Sequence, residues 1–125
     1  MKNPIIIGIL VLFSILVSSC KYDFILPVTE APVAAGVSFA TQVAPIFSSG
    51  DKCTSCHKSG GQSPDYTPSK AYISIVPNLV NLGTPNQSKI YTYPNPTTSA
   101  HAWKKFTTNE AAVILQWIAE GAKNN

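Results

Sequence analysis

The five residues Cys53-Thr54-Ser55-Cys56-His57 constrain this chain more than any other stretch. Two thiols two residues apart, with an imidazole directly behind them, require a tight turn that brings all three groups to one side. Three chemistries use such a set. A c-type haem is attached at C-x-x-C-H spacing. A C-x-x-C pair can act as a thiol–disulfide redox centre. Cys53, Cys56 and His57, joined by the distant His101, are also four potential zinc ligands. The surroundings weigh against the last two: no βαβ pattern flanks the cysteines, and the adjacent Cys56 and His57 share one metal only with strain.

The N-terminus supplies the compartment. Met1-Lys2-Asn3 is a short positive start, and residues 4–17 are almost wholly apolar. A spanning helix needs about 20 apolar residues, so this shorter run reads as a secretory signal. It ends in Val17-Ser18-Ser19-Cys20, which resembles a bacterial lipoprotein box: an aliphatic residue, two small residues and the Cys that is acylated and becomes the new N-terminus. Residues 1–19 are therefore expected to be a lipoprotein signal peptide. An ordinary cleaved signal and an uncleaved anchor are the alternatives. Residues 20–36 are read as the lipidated Cys20 and a flexible tether containing two prolines. Sixteen flexible residues reach roughly 20 Å. Acyl chains on Cys20 hold the protein to a membrane at about 0.8 kcal/mol per buried CH₂.

The rest, residues 37–125, is room for one domain. The chain has 45% hydrophobic and 12% charged residues, which excludes a disordered charged tail as its main content. Its nine basic residues are all lysines and are scattered, so no nucleic-acid partner is expected.

Export settles the cysteine arithmetic. Cys20 goes to lipid, Cys53 and Cys56 go to haem, and no cysteine remains for a disulfide. The two thiols add to the two vinyl groups on one porphyrin edge, and the same turn swings His57 under the iron. Heme c is thus the expected cofactor, bound by Cys53, Cys56 and His57.

Around the motif the pattern is helical. Phe39, Val43, Ile46 and Phe47 follow the spacing of one helix face, Ser38 is a fair N-cap, and Pro45 predicts a kink or a break. Residues 59–68 read as loop and residues 69–76 as a short helix stopped before Pro77. Residues 77–100, with four prolines, read as a long coil. Thr107-Thr108-Asn109-Glu110 fits a capping box. Val113, Ile114, Trp117 and Ile118 then share one face, Trp117 as core, and Gly121 ends the helix. Helices without strand alternation predict a small all-α domain.

Val43-Ala44-Pro45-Ile46-Phe47, the C-x-x-C-H motif and Leu115-Gln116-Trp117-Ile118 with Gly121-Ala122 together resemble the small monohaem cytochrome c domains of Bacteroidetes and Planctomycetes, which are similar to class I cytochromes c. The resemblance spans residues 37–125. It implies N- and C-terminal helices crossing around a covalently attached haem, with long coil between them and Phe47 and Trp117 in the packing near the crossing and the haem edge. Such domains usually supply a Met as sixth iron ligand from the coil before the last helix. Here the one Met is Met1, within the signal. His101 lies 44 residues beyond His57, just before the capping box, and is the one other His. His101 is therefore expected to bind the iron opposite His57. Lys104, Lys105, Asn95 or an open position are weaker alternatives. Trp103, Lys104 and Lys105 cover a haem edge in this reading or form a solvated basic turn.

The function expected is single-electron transfer by a lipid-anchored protein of the cell envelope, with preference for the outer membrane. It is expected to serve redox partner proteins, without a small-molecule substrate and without being an enzyme. A haem-based gas sensor or peroxidase with an open sixth position is the alternative, as is an accessory haem module docking a larger oxidoreductase.

Overall fold

Pro45 shapes the first helical stretch. In the computed structural model, which describes Val33, residues 35–101 and residues 103–125, Ser38 takes extended dihedrals and its hydroxyl accepts from the Thr41 amide, as an N-cap does. The first turn, Phe39–Val43, is wide: the Val43 amide reaches back five residues to the Ser38 carbonyl at 3.3 Å, and the Ala44 amide reaches Phe39. Pro45 has no N–H, and its ring excludes the carbonyl four residues back, which favours this π-type widening. The chain then tightens into α1 (Ala44–Ser48), with Pro45 in its first turn. The break predicted at Pro45 is thus a change of pitch.

The predicted signal peptide, Cys20 and nearly all of the tether lie outside the described residues. The last tether positions meet the domain. Val33 packs against the core, and the Gly36 and Val37 amides donate to the Glu120 carboxylate at 2.9 and 2.8 Å.

Helix α2 (Ala71–Ile75) stops at Val76, whose extended backbone suits a residue that precedes proline. Residues 77–100 are not one coil. They contain a 3₁₀ turn, Pro85–Gln87, and a one-turn helix, α3 (Lys89–Thr92). Both are held by tertiary contacts. Ile90 is buried, and the buried Ser88 hydroxyl accepts from the Asn81 amide at 2.9 Å. A four-residue helix has no period for a sequence pattern to display.

The last helix, α4 (Thr108–Ala119), carries the full capping box. The Glu110 amide donates to the Thr107 hydroxyl at 3.2 Å, and the Thr107 amide donates to the Glu110 carboxylate at 2.7 Å. Its end is a Schellman motif: Gly121, at φ +97°, donates to Ile118, and Ala122 donates to Trp117 at 2.9 Å.

Among the described residues all regular structure is helical, so the fold is all-α. The first and last helices meet through Phe39 and Trp117, whose rings lie 5.4 Å apart. Trp117 is fully buried, and its indole N–H donates to the Lys123 carbonyl at 2.9 Å, so the burial leaves no donor unpaired. A second aromatic group, Phe47, Tyr66 and Phe106, belongs to the same core and meets the motif through His57.

Candidate functional site

The motif leaves the end of α1 as a tight turn. Cys53 N–H donates to the Phe47 carbonyl at 2.9 Å, and His57 N–H donates to the Cys53 carbonyl at 2.8 Å. That one helical turn brings Cys53, Cys56 and His57 to the wall of a single cavity of about 640 Å³. This size falls within the usual range for sites of small ligands and cofactors, about 300–1,000 Å³. Phe47, Tyr66, Leu79, Ile90 and Phe106 give the cavity an apolar lining. Both thiols are free.

His57 is held in one tautomer. Its Nδ1 lies 3.1 Å from the Pro64 carbonyl, which only accepts, so Nδ1 carries the proton. Nε2 then keeps its lone pair, the form in which imidazole binds a metal. Tyr66 fixes the ring further. Its amide donates to the His57 carbonyl at 2.9 Å, and its ring packs 4.9 Å from His57 and stacks 4.9 Å from Phe47. Burial pushes the Tyr66 hydroxyl far above the ordinary phenol value, so it stays protonated.

His101 lines the same cavity. Its ring centre is 6.2 Å from that of His57, with 31° between the ring planes. Its Nδ1 is buried without a hydrogen-bond partner. Two imidazoles bound to one metal ion from opposite sides, with metal–nitrogen bonds of about 2 Å, put their ring centres about 6 Å apart. The pair therefore has the spacing of two ligands on one ion.

The weaker donors are engaged elsewhere. Asn95 Oδ1 accepts from the Thr97 amide and hydroxyl at 3.1 and 2.8 Å. The Lys105 ammonium donates to the Thr98 carbonyl. Lys104 borders the cavity, but its Nζ donates to the Asp51 carbonyl and the Ser55 hydroxyl, each at 2.9 Å. Trp103, 80% exposed, stands at the rim with Tyr93. Of the two residues the resemblance assigns to the haem surroundings, Phe47 lines the cavity and Trp117 lies behind it, in the contact between the first and last helices.

A cation also ties the motif loop to the last helix. Lys52 pairs with Glu110 and sits 5.9 Å from the centre of the Phe106 ring. Burial works against the charged form of Glu110. Hydrogen bonds from Lys52 and Thr107 outweigh it, and the carboxyl lies below its ordinary range.

Two rival chemistries fare poorly here. A redox-active C-x-x-C pair needs a thiol with a lowered pKa, whereas burial pushes the Cys53 thiol up. Among the described residues no three His, Cys, Asp or Glu side chains gather into one ligand group, so the four zinc candidates do not form a shell.

Sequence reasoning did not reach Pro64, Tyr66 or Phe106. They sit in stretches whose composition reads as loop, and only their packing against His57 and Phe47 marks them. Comparison with known proteins finds no matching family, no matching curated protein and no matching solved structure.

Proposed function

We propose that this chain is a lipid-anchored, single-haem electron carrier of the cell envelope. Its helices pack around a covalently attached haem c in the manner of class I cytochromes c. The observation that carries this reading is the pair of imidazoles 6.2 Å apart across a cavity that also holds both thiols of C-x-x-C-H.

The donor set fits the group. Cys53 and Cys56 would hold the group through two thioether sulfurs, His57 would offer Nε2, and His101, whose buried Nδ1 has no hydrogen-bond partner, would be the second imidazole donor. When bound, haem supplies reversible one-electron chemistry at its iron. The chain's own residues do the rest. The Pro64 carbonyl holds the His57 proton on Nδ1 and makes Nε2 a better donor. Phe47, Tyr66 and Phe106 keep water from the interior side. The rim carries Trp103 and Tyr93, both largely exposed, where a redox partner protein reaches the cofactor edge. With His57 and His101 both holding the iron, neither substrate nor gas would find a vacant coordination site. This makes the protein a carrier rather than an enzyme. Two imidazoles, in place of His and Met, give a lower potential.

Cys20 is the proposed acylation site and residues 20–36 the tether. An outer-membrane location is preferred, because Lys21 lacks the acidic side chain that retains some lipoproteins at the inner membrane.

The test is the absorption spectrum, oxidised and reduced, of the full chain made in a host with haem-attachment machinery. A low-spin six-coordinate c-type spectrum that ignores carbon monoxide supports the reading. A high-spin spectrum with ready gas binding favours a sensor or peroxidase. The lack of any haem band sinks the proposal.

A further inference from the structure

Resting on that reading, we propose that Lys104 is a positioning residue for His101. It straps the segment that bears His101 onto the motif turn that bears His57. The two histidines are 44 residues apart in the chain, so something must hold their segments together. Near His101, among the described residues, this task falls on side chains. The hydrogen bonds between backbone groups around it, Thr98 to Asn95 and Phe106 to Pro94, stay within its own connection. Lys104, three residues on, crosses over. Its ammonium donates to the Asp51 carbonyl and to the Ser55 hydroxyl, both at 2.9 Å. These acceptors lie two residues before and two after Cys53, so one charged group ties the approach to the motif to its middle.

The backbone carries the mark of this contact at both ends. Lys104 has φ +47° and Asp51 has φ +51°, the left-handed region that side chains other than glycine rarely adopt. Such residues persist where surrounding contacts over-determine them, and they cluster at functional sites. Of the three described non-glycine residues with positive φ, Asp51, Lys104 and Ala122, the first two are each other's partners. At Lys104 the turn sends the side chain back over the motif while the chain proceeds to Phe106 and the capping box. Lys105, its neighbour, donates instead to Thr98 of its own connection. The two adjacent lysines are therefore not equivalent.

The strap has a definite consequence. His101 Nδ1 has no hydrogen-bond partner, so no hydrogen bond at that nitrogen fixes the orientation of the ring. His57 differs, with Pro64 and Tyr66 holding its ring. The position of His101 then depends on its segment, which Phe106 anchors in the core and Lys104 ties to the motif turn.

The experiment uses the haem-loaded full chain with Lys104→Met, which keeps the aliphatic stem, and Lys104→Arg, which keeps the charge. Ser55→Ala removes one acceptor from outside the cavity. Spin state, carbon monoxide binding and amide exchange of residues 103–106 are read in each. For these exposed contacts, losing a hydrogen bond of ordinary net strength raises the open population about fivefold. Lys104→Met should therefore show about fivefold more high-spin iron, gas binding and faster exchange. Ser55→Ala should show a smaller change in the same direction, and Lys104→Arg should restore most of the wild-type signal. Unchanged exchange and spin state in Lys104→Met overturn the proposal while leaving ligation by His101 intact. If the wild type is itself high-spin, ligation by His101 fails and the positioning role falls with it. Faster exchange in Lys104→Met would then show a strap that serves folding alone.

Discussion

The imidazoles of His57 and His101 line one cavity with ring centres 6.2 Å apart and planes 31° from parallel. One is locked by a hydrogen bond from Nδ1 to the Pro64 carbonyl, and the other has a buried Nδ1 without a partner. If both imidazoles hold the iron, as proposed, His101→Ala should remove one ligand and leave the other. The expected result is conversion from low-spin to high-spin iron, carbon monoxide binding on reduction and a changed potential. Added imidazole should restore the low-spin spectrum. An unchanged spin state in this variant would falsify ligation by His101.

The two thiols face one cavity from one turn. Cys53→Ser or Cys56→Ser should each leave a haem held by a single thioether, with a pyridine haemochrome band shifted to longer wavelength. The double variant should lose haem on denaturation and extraction. Intact mass spectrometry before and after acid extraction distinguishes the three proteins.

Gly61 closes the loop behind the motif. Its amide donates to the Lys58 carbonyl at 2.8 Å, and the next amide, of Gln62, donates to the Cys56 carbonyl at 2.8 Å. A methyl group at position 61 would sit well inside contact distance of the Cys56 carbonyl oxygen, which is backbone and cannot step aside. Gly61→Ala should destabilise by about 1–3 kcal/mol, as overpacking does. The yield of covalently attached haem should fall with it. A denaturant midpoint equal to that of the wild type would refute this account of the turn.

Trp117 is fully buried, with Phe39 at 5.4 Å and its indole N–H on the Lys123 carbonyl. Trp117→Ala should cost about 3–5 kcal/mol. That is a large part of the stability of a small domain, and thermal unfolding should register it as a large fall in Tm. Trp103, exposed at the cavity rim, is the contrast: Trp103→Ala should leave Tm nearly unchanged.

Glu120 joins the start of the domain to its end. Hydrogen bonds from Gln116, and then from the Gly36 and Val37 amides, hold its carboxyl below the ordinary 4.5. A carboxyl lowered in the folded state stabilises the fold above its unfolded pKa, and the contribution is lost as pH falls through the folded value. Asp65, lowered chiefly by the Thr67 hydroxyl, acts in the same direction. Acid unfolding should therefore steepen below pH 4.5. Glu120→Gln should lower stability at neutral pH and flatten this limb of the curve. Urea titrations at several pH values give both slopes.

Local signals in the chain predict local features of the structure well. Ser38 caps the first helical stretch, Pro45 changes its pitch, Thr107 and Glu110 form the capping box, and Gly121 stops α4. Each depends on a few neighbouring residues, so a short run of sequence holds all the information. Residues 77–100 show the opposite case. The turn at Pro85–Gln87 and helix α3 exist because Ile90 and Ser88 find buried positions on other parts of the chain. Prolines and asparagines in that stretch display only the breaks between these anchors.

The site divides in the same way. Two thiols and an imidazole within five residues must share one turn, because backbone geometry allows little else at that spacing. That His101 approaches His57 across 44 residues, that Pro64 holds the proton of His57, that Tyr66 lies against its ring and that Lys104 rather than Lys105 reaches the motif are matters of packing. Sequence separation says nothing about these contacts. They arise when Phe47, Tyr66 and Phe106 are buried together and the segments they belong to are drawn into one wall.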